Sequence, residues 1–200
     1  MKRNYEDSGS TATMNRPPGV REQGDRSRKS GMDNEEMMRK AEAAGKPGPA
    51  HKALEHFVGD WKAEVKCWRE PGDPPHVSQA TAKGTWTMNG CFLQEDFHGE
   101  MMGRPFNGRT LLGYDNVKQT FNSVWVSDMQ TSMFVTEGKG ENGNKVITLE
   151  GTASCPMRER GGIPMKVVLR VLGPDRHTFE MFDMSGGANA KTMEITYLRT

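Results

Sequence analysis

Residues 79–101 read QATAKGTWTMNGCFLQEDFHGEM. Up to the Asn89-Gly90 pair, small or apolar residues (Ala80, Ala82, Gly84, Trp86, Met88) alternate with polar ones (Thr81, Lys83, Thr85, Thr87). A period of two marks a strand with one buried face, and Asn-Gly is a strong hairpin signal. The segment therefore predicts two antiparallel strands. The pattern extends in both directions. Upstream, Trp61, Ala63, Val65 and Cys67 share one face and Lys62, Glu64 and Lys66 the other, before the PGDPP run at 71–75 breaks the chain. Downstream, strands are predicted over 106–114, 120–128, 131–138, 145–152, 164–172, 177–182 and 191–199, with turns at 113–116, 141–144, 173–176 and 185–187. No long helical period intervenes, which excludes βαβ crossovers. Ten strands joined by tight turns would leave exposed edges in an open sheet, and closure removes them. The expected fold is all-β: a closed antiparallel up-and-down barrel of about ten strands with a short N-terminal helix.

The chain has 200 residues, of which 34% are apolar. That is below the roughly 45–50% of ordinary domains, a figure that also counts glycine. The deficit is local: all four Trp and all eight Phe fall within 51–200. Residues 1–31, rich in Gly, Ser, Pro, Arg and Asp, have nothing to bury and are expected to be disordered. DNEEMMRKAEAA at 33–44 predicts a short helix capped by Asp33 or Asn34, ended by Gly45 and Pro47 and too poor in apolar residues to dock firmly. The tail is thus 1–46 and the barrel domain 47–200. At its start, HKALEHFVG gives a helical turn or two with Ala53, Leu54, Phe57 and Val58 as its apolar stripe.

Lys plus Arg number 27 against 26 for Asp plus Glu, which argues against an electrostatic nucleic-acid binder. No run of 18 apolar residues exists, so no membrane-spanning helix is expected. The first nineteen residues contain no apolar stretch of the secretory kind, and Cys67, Cys91 and Cys155 are too scattered for a disulfide framework or a CxxC metal site. The expectation is a reduced, cytoplasmic protein whose oligomeric state the sequence leaves open.

Several stretches resemble the bacterial family called domain of unknown function 1579: PGPAHKALEHFVGDWKAEVKCW at 47–68, GCFLQEDFHGEMMGRPFNG at 90–108, LLGYDNVKQTF at 111–121, HTFEMF at 177–182 and KTMEITYLR at 191–199. A helical turn leading into Gly59-x-Trp61 also resembles the entry to lipocalin-like, calycin-type barrels. The resemblance spans roughly 47–199 and implies a lipocalin-like barrel.

A barrel of this size has room for one small ligand. Parity places Trp61, Trp86, Phe97, Phe106 and Tyr114 inside, with Trp125 a further candidate. Such a lining suits a small apolar or amphipathic ligand; the plainer reading is that these rings fill the core, or plug one end in the case of Trp61. On strand 91–101, Leu93, Glu95, Phe97, Gly99 and Met101 share a face, which makes Glu95 an acid among apolar side chains. A buried carboxylate needs a partner or a raised pKa, and either marks a possible site. Arg109 and Arg170 are the candidate partners, although parity favours the outside for both. No cofactor is expected. Haem is the alternative, with His177 as axial ligand on the resemblance to related small barrels and His98 second. His51 and His56 lie about 140° apart around a helix and cannot share a metal from one face. The chain carries no GxSxG, HExxH or phosphate-loop motif. Catalysis, the alternative to simple binding, would rest on Glu95 with Tyr114 and His98. A third reading is an interaction module with a filled barrel.

Overall fold

The structure, a computed structural model, describes residues 33–101, 103–156, 162–186 and 190–200. The disordered tail expected at 1–31 lies outside them. Helix α1 (Asn34–Ala44) is capped by the Asp33 carboxylate, which accepts from the Glu35 amide, and it buries none of its residues. Its C-terminal end is nevertheless tied to the barrel, because the Asn116 amide donates to the Ala44 and Lys46 carbonyls at 2.9 and 2.8 Å. Helix α2 (Pro49–Ala53) runs into a 3-10 turn (Leu54–Phe57) that buries Leu54 and Phe57.

Ten antiparallel strands follow: β1 (Gly59–Cys67), β2 (His76–Thr87), β3 (Phe92–Met101), β4 (Arg104–Asp115), β5 (Thr120–Ser127), β6 (Phe134–Glu141), β7 (Val146–Ala153), β8 (Ile163–Gly173), β9 (Arg176–Asp183) and β10 (Ala190–Arg199). Each pairs with its neighbour in sequence, and β10 returns to β1, closing the barrel. The predicted strands are present with ends shifted by a few residues. The Asn89-Gly90 turn is wider than a two-residue hairpin: Met88, Asn89 and Gly90 all take positive φ in a short 3-10 turn.

Parity follows the sequence reading. Trp61, Ala63, Val65, Ala80, Ala82, Leu93, Phe97, Leu112, Phe121, Ile147, Leu149, Val167, Ile195 and Tyr197 are buried and face inward. The core is asymmetric along the barrel axis. At one end the segment 49–57 forms a plug, where Leu54 and Phe57 pack with Leu93, Leu112, Phe121, Ile147 and Leu149. Gly84 is required there, since a Cβ on it would collide with the Phe57 carbonyl. Trp61 seals the same end, with its indole N–H donating to the Phe57 carbonyl at 3.0 Å. The Arg199 guanidinium lies 4.1 Å over the Trp61 ring and donates to the Val58 and His56 carbonyls.

Candidate functional site

Several inward-facing residues are only half-buried: Cys67, Ser78, Glu95, Phe106, Thr110, Ser123, Trp125, Phe134, Phe179, Met181 and Met193. These half-buried inward side chains mark out the candidate lumen, the part of the barrel interior between the helical plug and the opposite end. Glu95 lies within it. By register it stands next to Gly84 on β2 and Thr110 on β4, and the row continues through Trp125 to Phe134. Gly108 has a definite job here: a Cβ would strike the Trp125 ring, so its absence lets the indole lie across β4 toward Phe97. Trp125 meets Phe97 edge-on at 6.1 Å between centroids, and Phe97 meets Phe106 at 5.9 Å.

The partner of Glu95 is Tyr197, whose hydroxyl donates to the carboxylate. β10 and β3 are separated by β1 and β2, whose inward residues include Ala63, Ala80 and Ala82, small enough for a tyrosine to cross over them. The Tyr197 ring is fixed from behind by stacking on His177 at 4.2 Å. Burial raises the Glu95 carboxyl to about 7; the charge of Asp96 adds to the rise and the Tyr197 hydrogen bond opposes it. The same burial, together with the Glu95 charge, holds the Tyr197 hydroxyl well above its ordinary range. Tyr197 escaped the sequence reading. The signal was present, because Met193, Ile195 and Tyr197 alternate on one face, and an inward tyrosine needs a partner for its hydroxyl.

The sequence-predicted residues divide between the two ends. Phe97, Phe106 and Trp125 pack together in the interior, and Glu95 shares a register row with Thr110 and Trp125. Trp61 belongs to the plug. Trp86 packs at the same end, and its indole N–H reaches the Glu55 carboxylate at 2.6 Å. Tyr114 also sits there, edge-on to His51 and Phe121. The catalytic grouping of Glu95 with Tyr114 and His98 is not formed. His98 points outward, with Nδ1 2.7 Å from the Asn107 side-chain oxygen. Arg109 and Arg170 are outside too, paired with Asp96 and Glu180. His98, Asp96, Asn107, Arg109 and Asp128 line a wide, shallow depression on the outer wall; a second lies near Lys62, Lys66 and Arg176. Both are open to solvent and hold none of the inward aromatics.

His177 is 1% exposed. Its ring is packed against Trp61 (4.4 Å), Phe57 (4.9 Å), His56 (5.7 Å) and Tyr197. Burial lowers its pKa to about 3, helped by His56 and Arg199, so the ring is neutral at ordinary pH. A haem iron would have to displace one of these rings to reach it, and the packing does not fit an open axial position. His51 is committed to the backbone: its Nδ1 accepts from the Gly48 amide at 3.0 Å. Among the described residues no group of three or more His, Cys, Asp or Glu converges as metal ligands. No helix among them is long and apolar enough to cross a membrane.

The fold is shared with solved structures of low sequence identity. Rv2717c from M. tuberculosis superposes with a TM-score of 0.57 at 15% identity, covering 78% of this chain and 99% of that one. The S-type phycobiliprotein lyase CPES from Guillardia theta gives 0.51 at 11% identity, covering 80% and 96%. No curated protein matches the chain. The family described as a protein of unknown function (DUF1579) matches residues 46–199, and the chain belongs to that family.

Proposed function

We propose that the barrel is a binding protein that holds one small amphipathic ligand in its lumen. The apolar body would lie along Phe97, Phe106 and Trp125, and the polar end would meet Glu95 and Tyr197. One observation carries this reading: Glu95 stands inside the barrel with its carboxyl buried and Tyr197 as its hydrogen-bonding partner. An isolated buried acid is costly to maintain, and a purely structural interior would favour an apolar residue in its place. The three thiols are free, which agrees with the cytoplasmic setting in this reading. The reading requires no metal or prosthetic group.

A second reading is supported by the same pair. A carboxyl raised to about 7 is matched to general acid–base work near neutrality. Glu95 would then move a proton on the bound ligand, with Tyr197 orienting it.

Native mass spectrometry of the purified full-length chain, with its visible absorption spectrum, tests the binding reading. A co-purifying small molecule is expected, and Thr110→Phe, which fills the wall beside Glu95, is expected to lose it. A wild-type protein that carries nothing, together with a Thr110→Phe variant that binds octanol as well as wild type, would remove the proposal.

A further inference from the structure

The charge of the lumen bears on which amphiphile it holds. Among the described residues, no lysine occupies an inward position of the barrel wall. Two arginines have inward parity, and each stands at an end. Arg199 is beneath Trp61, bound to backbone carbonyls. Arg104 is exposed at the open rim. Between them the wall presents Glu95; His76 and Asp183 have inward parity at the open end, where the Asp183 carboxylate accepts from the Ser185 amide and hydroxyl. The groups facing Glu95 from neighbouring strands are Gly84, Thr110 and Tyr197, and none can neutralise it; the nearest other charge, Asp96, has the same sign. Carboxylate ligands are held best by cationic groups, and between its two ends this wall offers neutral hydroxyls (Ser78, Thr110, Ser123 and Tyr197) but no cation. Beside the acid stands an aromatic wall, with the Trp125 indole laid across Gly108 toward Phe97. Aromatic faces attract cations, tryptophan most strongly.

We infer that the lumen selects a monocationic amphiphile, a primary or tertiary amine with an apolar body, whose ammonium pairs with Glu95 while the body lies along Phe97, Phe106 and Trp125. This rests on the binding reading above and adds the sign of the ligand's charge. The ammonium supplies the counter-charge that the protein withholds from Glu95. Tyr197, held by its stack on His177, remains the hydrogen-bond partner of the carboxylate. Binding takes up no proton when Glu95 is already ionised, and releases one when it is not.

The test uses the full-length chain, freed of carried ligand, titrated at pH 8 with three probes of equal apolar length: octylamine, octanol and octanoate. Calorimetry and tryptophan fluorescence report binding. Octylamine is expected to bind at least about tenfold more tightly than octanol, with octanoate weakest. Glu95→Gln is expected to bring octylamine down to the level of octanol, and a cooperative urea transition of the variant at pH 5 shows that it is folded. Octanoate binding as well as octylamine, or a Glu95→Gln variant that keeps the amine preference, would overturn the inference and leave the lumen reading standing on octanol. Failure of all three probes to bind would overturn both.

Discussion

Replacing Glu95 by glutamine isolates the energetic consequence of placing an acid in the lumen. In the folded chain the carboxyl titrates at about 7 against an ordinary value of 4.5. A raised folded pKa means that the native state binds the proton more tightly than the unfolded state. The associated stability is therefore complete below about pH 4.5, declines as pH rises through the window from 4.5 to 7, and is flat above it. At about 1.4 kcal/mol for each pKa unit, the wild type gives up about 2–3 kcal/mol between pH 5 and pH 8. The glutamine side chain of Glu95→Gln cannot ionise, yet its amide oxygen still accepts from the Tyr197 hydroxyl. The variant should therefore gain on the wild type by about 2–3 kcal/mol across that interval. Other titrating groups, His177 included, are present in both proteins and largely cancel in the difference. Urea denaturation followed by tryptophan fluorescence at pH 5, 6, 7 and 8 measures it. A stability difference between the two proteins that does not change with pH would refute the reasoning, because it would mean that the folded carboxyl titrates like an exposed one.

His177 supplies the opposite dependence: its folded pKa of about 3 lies below the ordinary 6.5, so its stabilisation is present above pH 6.5 and is lost as pH falls toward 3. His177→Phe, which keeps the stack on Tyr197, should remove about 1.4 kcal/mol of acid-dependent loss per pH unit in that window, read by acid titration of the urea midpoint. Haemin titrated into wild type and His177→Ala should give no sharp Soret band that depends on His177; a stoichiometric band lost in the variant would show that the ring is more accessible than its packing implies. Gly84→Ala forces a methyl group against the Phe57 backbone carbonyl, which cannot rotate away, and should lower the melting temperature by several degrees, with a cost of about 1–3 kcal/mol. Removal of residues 1–31 should leave the melting temperature within about two degrees of wild type, since their composition offers nothing to bury. A larger fall would show that the tail packs on the barrel.

Strand periodicity, turn residues and the absence of helical repeats were sufficient for the barrel. A period of two assigns each side chain to a face, and closure follows from the need to pair edges. The same periodicity placed Glu95 inside with Leu93 and Phe97, and set Arg109 and Arg170 apart from it. Alternation along one strand, however, carries no information about height along the barrel axis or about which strand lies opposite. That is why Trp61, Trp86 and Tyr114 looked equivalent to Phe97 and Trp125, although the register sends the first three to the plug and the other two to the lumen. It is also why Tyr197, 102 residues beyond Glu95 in the sequence, went unpaired with it. Their hydrogen bond exists because β10 closes on β1 and because three alanines on β1 and β2 leave the gap that a tyrosine spans. The sequence by itself determined the fold class and the inward or outward sense of each side chain, since these depend on local backbone geometry. Only the closed tertiary structure decided which inward residues meet, because that depends on strand register summed around the whole barrel.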